Sequence, residues 1–242
     1  MLVFLLYNIF KVVIAMKILK RIIIFLLLVA IVGFTICFII GYSTYSKALD
    51  EKPLITRIDE ITSKENYVPF DELSKDYINA VVAVEDRRYY DHGAIDPIGI
   101  ARAIWVNISN WELREGGSTI TQQVAKNVIF SQEDTVSRKL GEIIAAFDLE
   151  KNYSKDEILA IYVNTCYFGD GYYGIYDASM GYYNKEPKDL NLDEASMLAG
   201  VPNAPSAYSP NVNPDLAKKR QKHVLEKMVE NGYITQEEAN SI

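Results

Sequence analysis

Hydrophobic positions are distributed unevenly along the chain. Residues 22–41 form a run of twenty residues without a charged side chain, and Thr35 is its only clearly polar member. A helix of that length spans roughly 30 Å, the thickness of the hydrocarbon core of a bilayer. Cleaved secretory signals have a shorter apolar region and a small-residue cleavage site, and Gly41-Tyr42-Ser43 matches such a site poorly. The pattern therefore predicts a transmembrane anchor at residues 22–41.

The charges that flank this run predict its orientation. Basic residues precede the run and acidic residues follow it: Lys17, Lys20, Arg21, Asp50 and Glu51. Cytoplasmic flanks of membrane helices carry an excess of Lys and Arg. We therefore expect residues 1–21 in the cytoplasm and the rest of the chain on the outer face of the cytoplasmic membrane.

The first fifteen residues are apolar but too short to span a bilayer. Met16 is followed by a basic segment and then by the anchor, which is the order expected of a natural start. We therefore expect Met16 to be the true initiator and residues 1–15 to result from a start site assigned too far upstream. The alternative is that residues 1–15 form an interfacial helix.

Beyond the anchor, the pattern predicts a mainly α-helical chain. Residues 42–70 show no clear period and are expected to form a stem, and helix signals dominate residues 71–242. Capping residues mark the predicted helix starts: Ser74, Asp96-Pro97, Ser154, Asn191, Asn213-Pro214 and Thr235. In the segment from Thr135 to Glu150, the apolar residues Val136, Leu140, Ile143 and Phe147 form one stripe at helical spacing.

Composition excludes several classes of protein. The chain of 242 residues is 49% hydrophobic and 24% charged, as globular proteins are, which excludes a disordered tail or a collagen. Two cysteines and two histidines exclude a four-cysteine zinc site and argue against a histidine-rich metal centre. The net charge of -7 argues against nucleic acid as a partner. Cys37 lies in the anchor and Cys166 in the outer domain, so we expect no disulfide.

Glu85 is the first candidate for chemistry. It ends an apolar helical segment and is followed by Asp86-Arg87-Arg88. Partial burial raises the pKa of a carboxyl group and suits it to act as a general base. The alternative is an ordinary helix-end acid paired with Arg87 or Arg88.

A glycine-containing loop is the second candidate. Gly116-Gly117-Ser118-Thr119 precedes a helical segment that carries Gln122, Gln123 and Lys126. Free N–H groups at a helix start, beside hydroxyls and a lysine, make a seat for a phosphate. The alternative is a loop that only caps the helix.

Two further segments carry charged or aromatic residues. Arg138 and Glu142 lie opposite the apolar stripe and, with Lys139, would suit a charged leaving group; the alternative is an exposed pair worth about 0.3–0.5 kcal/mol. The tyrosines and glycines of residues 167–174 could stack on sugars or pack a core.

The order of these segments resembles one family, the peptidoglycan glycosyltransferases (family 51), which also form the first domain of bifunctional penicillin-binding proteins. The segments that carry the resemblance are Glu85-Asp86 with His92, residues 116–123, Arg138-Lys139 with Glu142, residues 155–164, and residues 198–202 with 204–206. The resemblance covers residues 70–242. The chain ends where a transpeptidase domain would begin, so we expect the monofunctional form.

The resemblance implies a lysozyme-like fold and polymerisation of lipid II. The 4-hydroxyl of the acceptor GlcNAc attacks the anomeric carbon of the donor MurNAc, undecaprenyl pyrophosphate leaves, and a β-1,4 link forms. It implies that Glu85 is the general base and that Glu142 stabilises the pyrophosphate. The residues that it implies contact substrate are Asp86, His92, Gly117, Ser118, Thr119, Gln123, Lys126, Arg138, Lys139 and Asn164.

Asp134 departs from the family pattern, because an arginine facing the pyrophosphate is usual there. We expect no required cofactor, with Mg²⁺ or Mn²⁺ between Glu142 and Asp134 as a candidate metal site. The expected partners are lipid II, the growing glycan strand and the cytoplasmic membrane, with transpeptidases and the division or elongation machinery as further candidates. Two alternative functions are an inactive membrane scaffold and a muramidase-type hydrolase.

Overall fold

The computed structural model describes residues 2–111, 116–130 and 135–242. Within these ranges the chain is a succession of α-helices, and the only pairing of extended segments is an isolated antiparallel bridge between Tyr167 and Tyr173. The helices are α1 (Leu2–Glu51), α2 (Leu54–Thr62), α3 (Lys75–Glu85), α4 (Pro97–Asn110), α5 (Ile120–Ile129), α6 (Val136–Asn152), α7 (Lys155–Thr165), α8 (Ile175–Tyr183), α9 (Leu192–Gly200), α10 (Pro205–Tyr208), α11 (Pro214–Glu230) and α12 (Gln236–Asn240). The predicted mainly α-helical class is confirmed.

Helix α1 is the one helix in the described ranges that is long and apolar enough to cross a membrane. Its 50 residues extend over about 75 Å, more than twice the thickness of a hydrocarbon core. Large apolar side chains from Ile22 to Ile40 are exposed along it. The single apolar N-terminal helix expected from the sequence is therefore present.

The segment 42–70, expected as a stem without a clear period, is mostly helical. Helix α1 continues through it without a break to Glu51, and α2 follows at Leu54. Only one side of each of these helices is covered by the rest of the protein, with Tyr45 and Ile58 buried at 5% and 3% exposure. Because so few residues of this segment are buried, residues 42–70 show no hydrophobic periodicity in the sequence.

The outer part of α1 crosses α6 at very short range, and a glycine on each helix permits the approach. A Cβ added to Gly41 would lie 2.7 Å from the carbonyl oxygen of Leu140, and one added to Gly141 would lie 3.2 Å from Cγ2 of Thr44. Nearby, the hydroxyl of Tyr45 donates a hydrogen bond to the Asp148 carboxylate. The membrane-length helix is thus packed directly on the globular part of the chain.

The core lies among α3, α5, α7, α9 and α11. Helix α7 is buried from Ile158 to Val163, as expected for a helix that is apolar on all sides. Helix α3 packs against α9 and α11, and α5 packs against α6 and α7. The ends of α3 and α5 thereby meet beside α11.

Helix α6 buries a different face from the one that its apolar stripe predicted. Val136 and Phe147, two members of the stripe, are 79% and 53% exposed. The buried residues of α6 are Arg138, Gly141, Glu142, Ala145, Ala146 and Leu149. The small residues let α1 and α5 pack closely against α6, and the interpretation of Arg138 and Glu142 as an exposed pair was wrong.

Candidate active site

Two adjoining cavities form one cleft across the helical domain. Their volumes are about 640 and about 690 Å³, and five residues line both: Ser118, Gln123, Lys126, Pro202 and Asn203. Glu85 lines the first cavity and Glu142 lines the second. The two acids singled out in the sequence therefore belong to different ends of the same cleft.

Glu85 is the last residue of α3, and its side chain is only 11% exposed. Nε2 of Gln123 donates a hydrogen bond to Oε2 of Glu85 at 2.8 Å, and a guanidinium nitrogen of Arg220 lies 3.9 Å from Oε1. Burial raises the pKa of the Glu85 carboxyl, while Gln123 and Arg220 oppose that rise by stabilising the ionised form. This environment suits a carboxylate that must accept a proton.

Helix α5 begins in the cleft, and its start is held by two kinds of contact. Thr119 caps it in a reciprocal capping box with Gln122, and a carboxylate oxygen of Asp86 accepts a hydrogen bond from the Ile120 N–H at 3.1 Å. A Cβ added to Gly117 would lie 3.4 Å from Cα of Ile100, so the loop before α5 lies close against α4. These contacts fix the adjacent Ser118 at the junction of the two cavities.

A group of cationic side chains surrounds Glu142 at the other end of the cleft. Glu142 is 1% exposed; Lys139 Nζ lies 2.7 Å from its Oε2, and a guanidinium nitrogen of Arg138 lies 3.4 Å from its Oε1. The same Lys139 ammonium donates a hydrogen bond to Ser118 Oγ at 2.8 Å. Glu142 therefore holds cations in place at the cleft wall.

Lys126 adds a further positive charge between the two acids. It lies on α5 and lines both cavities. No acidic side chain in the described ranges is within ion-pair distance of its ammonium group. Lys126 is thus placed to meet an anion in the cleft.

Asp86 and His92 lie behind the cleft and do not line either cavity. His92 Nε2 is 2.9 Å from Asp86 Oδ1, and both side chains are almost completely buried. Arg88 forms an ion pair with Asp96, which in turn accepts a hydrogen bond from the Ile98 N–H at the start of α4. The structure thus places Asp86 and His92 where they fix the segment after Glu85, with no contact to the cleft.

Three other predicted substrate contacts also occupy supporting positions. Thr119 is buried, and its hydroxyl donates a hydrogen bond to the Ala94 carbonyl oxygen. The Asn164 side chain bonds both the N–H and the C=O of Val68, which ties the segment before α3 to α7. Neither residue lines either of the two cavities of the cleft, nor does Gly117. Of the predicted set, the residues that line the cleft are Glu85, Ser118, Gln123, Lys126, Arg138, Lys139 and Glu142.

The described residues do not form a cradle for the candidate divalent cation. Asp134 lies outside the described ranges. Both oxygens of Glu142 face cationic side chains, so a metal ion would have to displace Lys139 or Arg138. Asp86, His92 and Asp96 have ligand atoms within 4.8 Å of one another, but both carboxylates are engaged by protein donors.

Several lining residues of the first cavity were not anticipated from the sequence. They are Arg87, Arg102, Asn203, Arg220, His223 and Lys227. Arg220 lies in the charged run Lys218-Lys219-Arg220, which is typical of a solvated helix face. The position of Arg220 could have been inferred from helical spacing. It stands three residues after Ala217 and four before Val224, both of which are buried, so it lies on the face of α11 that packs on the domain.

The tyrosine- and glycine-rich segment divides between core and cleft. Phe168 is fully buried, whereas Tyr167 and Tyr173 line the second cavity with ring centroids 4.6 Å apart. Gly169 has a φ of 80°, and a Cβ there would lie 2.9 Å from the Pro205 carbonyl oxygen, so glycine is required at this turn. The core interpretation is therefore confirmed for Phe168, whereas stacking of Tyr167 and Tyr173 on sugars stays a prediction.

The sequence profile of the family described as Transglycosylase matches residues 51–229. A protein of Cupriavidus necator that is provisionally named a transglycosylase is 40% identical over 213 residues, which are 88% of this chain and 90% of that protein. Penicillin-binding protein 1F of Bacillus subtilis is 42% identical over 87% of this chain, and penicillin-binding protein 1A of Neisseria lactamica is 50% identical over 65%. The matched segments are 31% and 20% of the length of those two proteins.

Proposed function

The chain belongs to the transglycosylase family, and on that premise we propose that it is a peptidoglycan glycosyltransferase that polymerises lipid II. The donor would be the growing glycan strand on undecaprenyl pyrophosphate, and the acceptor would be a lipid II molecule. The product is a β-1,4-linked glycan, and undecaprenyl pyrophosphate is released.

One relationship carries this proposal: a buried carboxylate and a group of cations lie at opposite ends of one cleft. Glu85 has a raised pKa and lines the first cavity, while Lys139 and Arg138 line the second. Lys126 lies where the two cavities join. A sugar hydroxyl is a poor nucleophile and needs a base, whereas a pyrophosphate leaving group needs positive charge.

The reaction assigns a task to each group. Glu85 accepts the proton of the acceptor 4-hydroxyl as the new bond forms between that oxygen and the donor anomeric carbon. The bond from the anomeric carbon to the pyrophosphate oxygen breaks, and its electron pair leaves with the pyrophosphate. Lys126, Lys139 and Arg138 stabilise the negative charge that develops there. With base and cations at opposite ends, the hydroxyl attacks from the face opposite the leaving group, which inverts an α-linked donor to a β product.

The position of the anchor supports a lipid-borne substrate. Helix α1 packs on α6, and α6 carries Arg138, Lys139 and Glu142. The cation group is therefore close to the point where the membrane-length helix meets the domain. The basic flank of the anchor supports an orientation with the domain on the outer face, where transpeptidases and the division or elongation machinery are candidate partners.

The test is polymerisation of fluorescent lipid II by the purified full-length chain. The proposal is supported if the chain forms a polymer that a muramidase degrades and if the Glu85→Gln variant forms no polymer. Cleavage of finished glycan without polymer formation would replace it with a muramidase-type hydrolase. Binding of lipid II without either reaction would indicate a membrane scaffold.

A further inference from the structure

A groove runs between α1 and α6, just beyond the exposed apolar run of α1. Its volume is about 400 Å³, which is within the range of about 300–1,000 Å³ for pockets that hold small molecules. None of its lining residues lines either cavity of the catalytic cleft. They are Tyr42, Tyr45, Ser46, Leu49, Ile144, Phe147, Asp148 and Lys151, and we call this feature the α1–α6 groove.

When α1 spans a bilayer, the α1–α6 groove opens at the height of the lipid headgroups. Ile40 is the last exposed aliphatic residue of the apolar run, and Tyr42 follows it after about 3 Å of helix. The headgroup regions extend about 5–8 Å beyond each face of the hydrocarbon core. The ring of Tyr42 stacks on Phe38, with 6.2 Å between the ring centroids, which continues the aromatic surface from the groove into the apolar run.

The two helices run side by side away from the membrane. Gly41 meets Leu140 at the near end of their contact, and the Tyr45 hydroxyl bonds the Asp148 carboxylate further along both helices. Lys151 stands almost one turn beyond Asp148. The groove therefore has its aromatic side chains towards the membrane and its lysine at the far end.

Lys151 is the donor of the groove that is available to a ligand. The neighbouring Asp148 is already engaged, because its carboxylate accepts hydrogen bonds from the Tyr45 hydroxyl and from Nδ2 of Asn152. Within the described part of the chain, no carboxylate lies within 4.0 Å of the Lys151 ammonium group. Phe147, which is 53% exposed, lies about one turn before it on the same helix. An anionic group with an apolar chain attached matches this arrangement.

We propose that the α1–α6 groove binds one anionic phospholipid from the leaflet on the side of the globular domain. The phosphate would lie at Lys151, and an acyl chain would pass Phe147 and Tyr42 into the hydrocarbon core. A lysine can lay its methylene stem along an apolar surface while its ammonium group meets a phosphate. The lipid would contact α1 and α6 together and so stabilise their crossing.

The size of the groove favours a lipid over a helix of a partner protein. One turn of an α-helix with its side chains is a cylinder about 10–12 Å wide and 5.4 Å high, which takes roughly 420–610 Å³. That is at least the whole volume of the groove. A helix would therefore rest on the rim, whereas a headgroup and the first methylenes of a chain would enter the groove. The bilayer around α1 supplies such molecules directly at its mouth.

Lipid retention measured by native mass spectrometry tests this proposal. The full-length chain in detergent is mixed with equal amounts of dioleoyl phosphatidylglycerol and dioleoyl phosphatidylcholine, and the lipids that stay bound after release from the micelle are counted. The parent should retain one phosphatidylglycerol, several-fold more often than phosphatidylcholine. Because no glycosyl transfer is measured, the outcome is independent of the proposed reaction.

Two pairs of matched variants locate the bound lipid. Lys151→Gln removes the cation of the groove, whereas Lys47→Gln removes one from an exposed residue of α1 that does not line it. Ser46→Trp fills the groove, whereas Ser43→Trp adds the same side chain at an exposed position of α1 outside it. Lys151→Gln and Ser46→Trp should lower the retained phosphatidylglycerol several-fold, and the two controls should keep the parent value. Circular dichroism checks that all four variants remain folded.

Three results would overturn the proposal. The first is equal retention within either pair of variants. The second is displacement of phosphatidylglycerol by an equal amount of undecaprenyl phosphate, because the occupant would then be a polyprenyl carrier lipid. The third is a parent chain that retains no phospholipid, which would favour a partner protein as the occupant.

Discussion

The side-chain amide of Gln123 donates a hydrogen bond to the Glu85 carboxylate, with 2.8 Å between Nε2 and Oε2. The orientation of that amide is fixed from the other side, because its oxygen accepts a hydrogen bond from the Tyr162 hydroxyl at 3.3 Å. The donor end of the amide therefore faces the acid. This arrangement stabilises the ionised form of Glu85 against the effect of burial.

Gln123→Met should move the acidic limb of the rate–pH profile to higher pH. The substitution keeps the size of the side chain but removes the hydrogen bond that lowers the pKa of Glu85. A general base works only when it is deprotonated, so the rate rises as pH passes upward through that pKa. The measurement is kcat/KM for polymerisation against pH. Tyr162→Phe should shift the limb less in the same direction, and an unchanged limb in both variants would contradict the assignment of Glu85 as base.

Glu85→Gln should lower the polymerisation rate by about 10²–10⁴-fold, which is the usual contribution of a positioned base. Lipid II binding should be retained, because the amide keeps the shape of the side chain. Turnover and binding are measured separately, by initial rate and by co-sedimentation with labelled substrate. A variant that keeps more than about a tenth of the parent rate would place the base elsewhere.

The same substitution should change how stability depends on pH. The folded-state pKa of Glu85 is raised, so the folded protein holds the proton to a higher pH than the unfolded chain does. Its contribution to stability is therefore fully present below the unfolded pKa and is lost as pH rises through the folded pKa. Glu85→Gln should remove this pH-dependent loss of stability. The measurement is the midpoint of thermal unfolding in detergent, followed from about pH 4 to about pH 8 for the parent and the variant. Glu237→Gln, at an exposed residue of α12, should keep the pH dependence of the parent.

Lys126→Ala should weaken binding of phosphate-containing ligands. Lys126 lines both cavities, and among the described residues no acid neutralises it, so its charge is available to an anion. The affinity for moenomycin, a phosphoglycolipid that inhibits this family, should fall and the KM for lipid II should rise. Lys222→Ala, on the exposed side of α11, is the matched control. Equal moenomycin affinity in the two variants would remove Lys126 from the site.

Glu142→Gln should impair both stability and donor binding. Removing one partner of a buried ion pair typically costs about 3–5 kcal/mol, and the cost here should be smaller because Lys139 is 44% exposed. The freed Lys139 should also be less ordered beside Ser118, which raises the KM for the donor. Thermal unfolding and steady-state kinetics measure the two effects. Wild-type kinetics in a folded variant would show that Glu142 does not position the cations.

Gly41→Val should separate α1 from α6. The new Cβ would meet the Leu140 carbonyl at 2.7 Å, and a backbone atom cannot rotate away. Gly33→Val is the control, because nothing lies within 4 Å of a Cβ at that position of the same helix. Thermal unfolding in detergent should show a lower midpoint for Gly41→Val only. Similar midpoints would mean that the crossing contributes little to stability.

The sequence predicted local features of the fold better than helix orientation. Ser74, Ser154 and Asn191 cap the helices that they were predicted to cap, because capping depends on a few adjacent residues. The buried face of α6 was missed, because it is formed by small and charged residues instead of by the larger apolar ones. Which face a helix buries depends on the shape of its partners, and that information is not local.

In the candidate site, too, the features carried by local motifs were predicted and those that depend on distant parts of the chain were missed. Glu85, Ser118, Gln123 and Lys126 were predicted from motifs, and the structure brings all four to one cleft. Arg220 was missed because it comes from a distant helix and stands in a run of lysines and arginines. Asp86 and His92 belong to the same motif as Glu85, yet they support it from behind. A motif therefore identified the neighbourhood of the chemistry, but not which of its members face the cleft.

The unbroken course of α1 sets both the height and the direction of the domain above the bilayer. Each residue of a helix adds about 1.5 Å of rise and about 100° of rotation. One residue inserted after Gly41 would therefore turn Gly41 and the membrane-spanning part of α1 by more than a quarter of a revolution relative to Leu140 and the cleft. The length of this junction is thus fixed in units of helical turns, and single insertions or deletions there would be far more damaging than most substitutions.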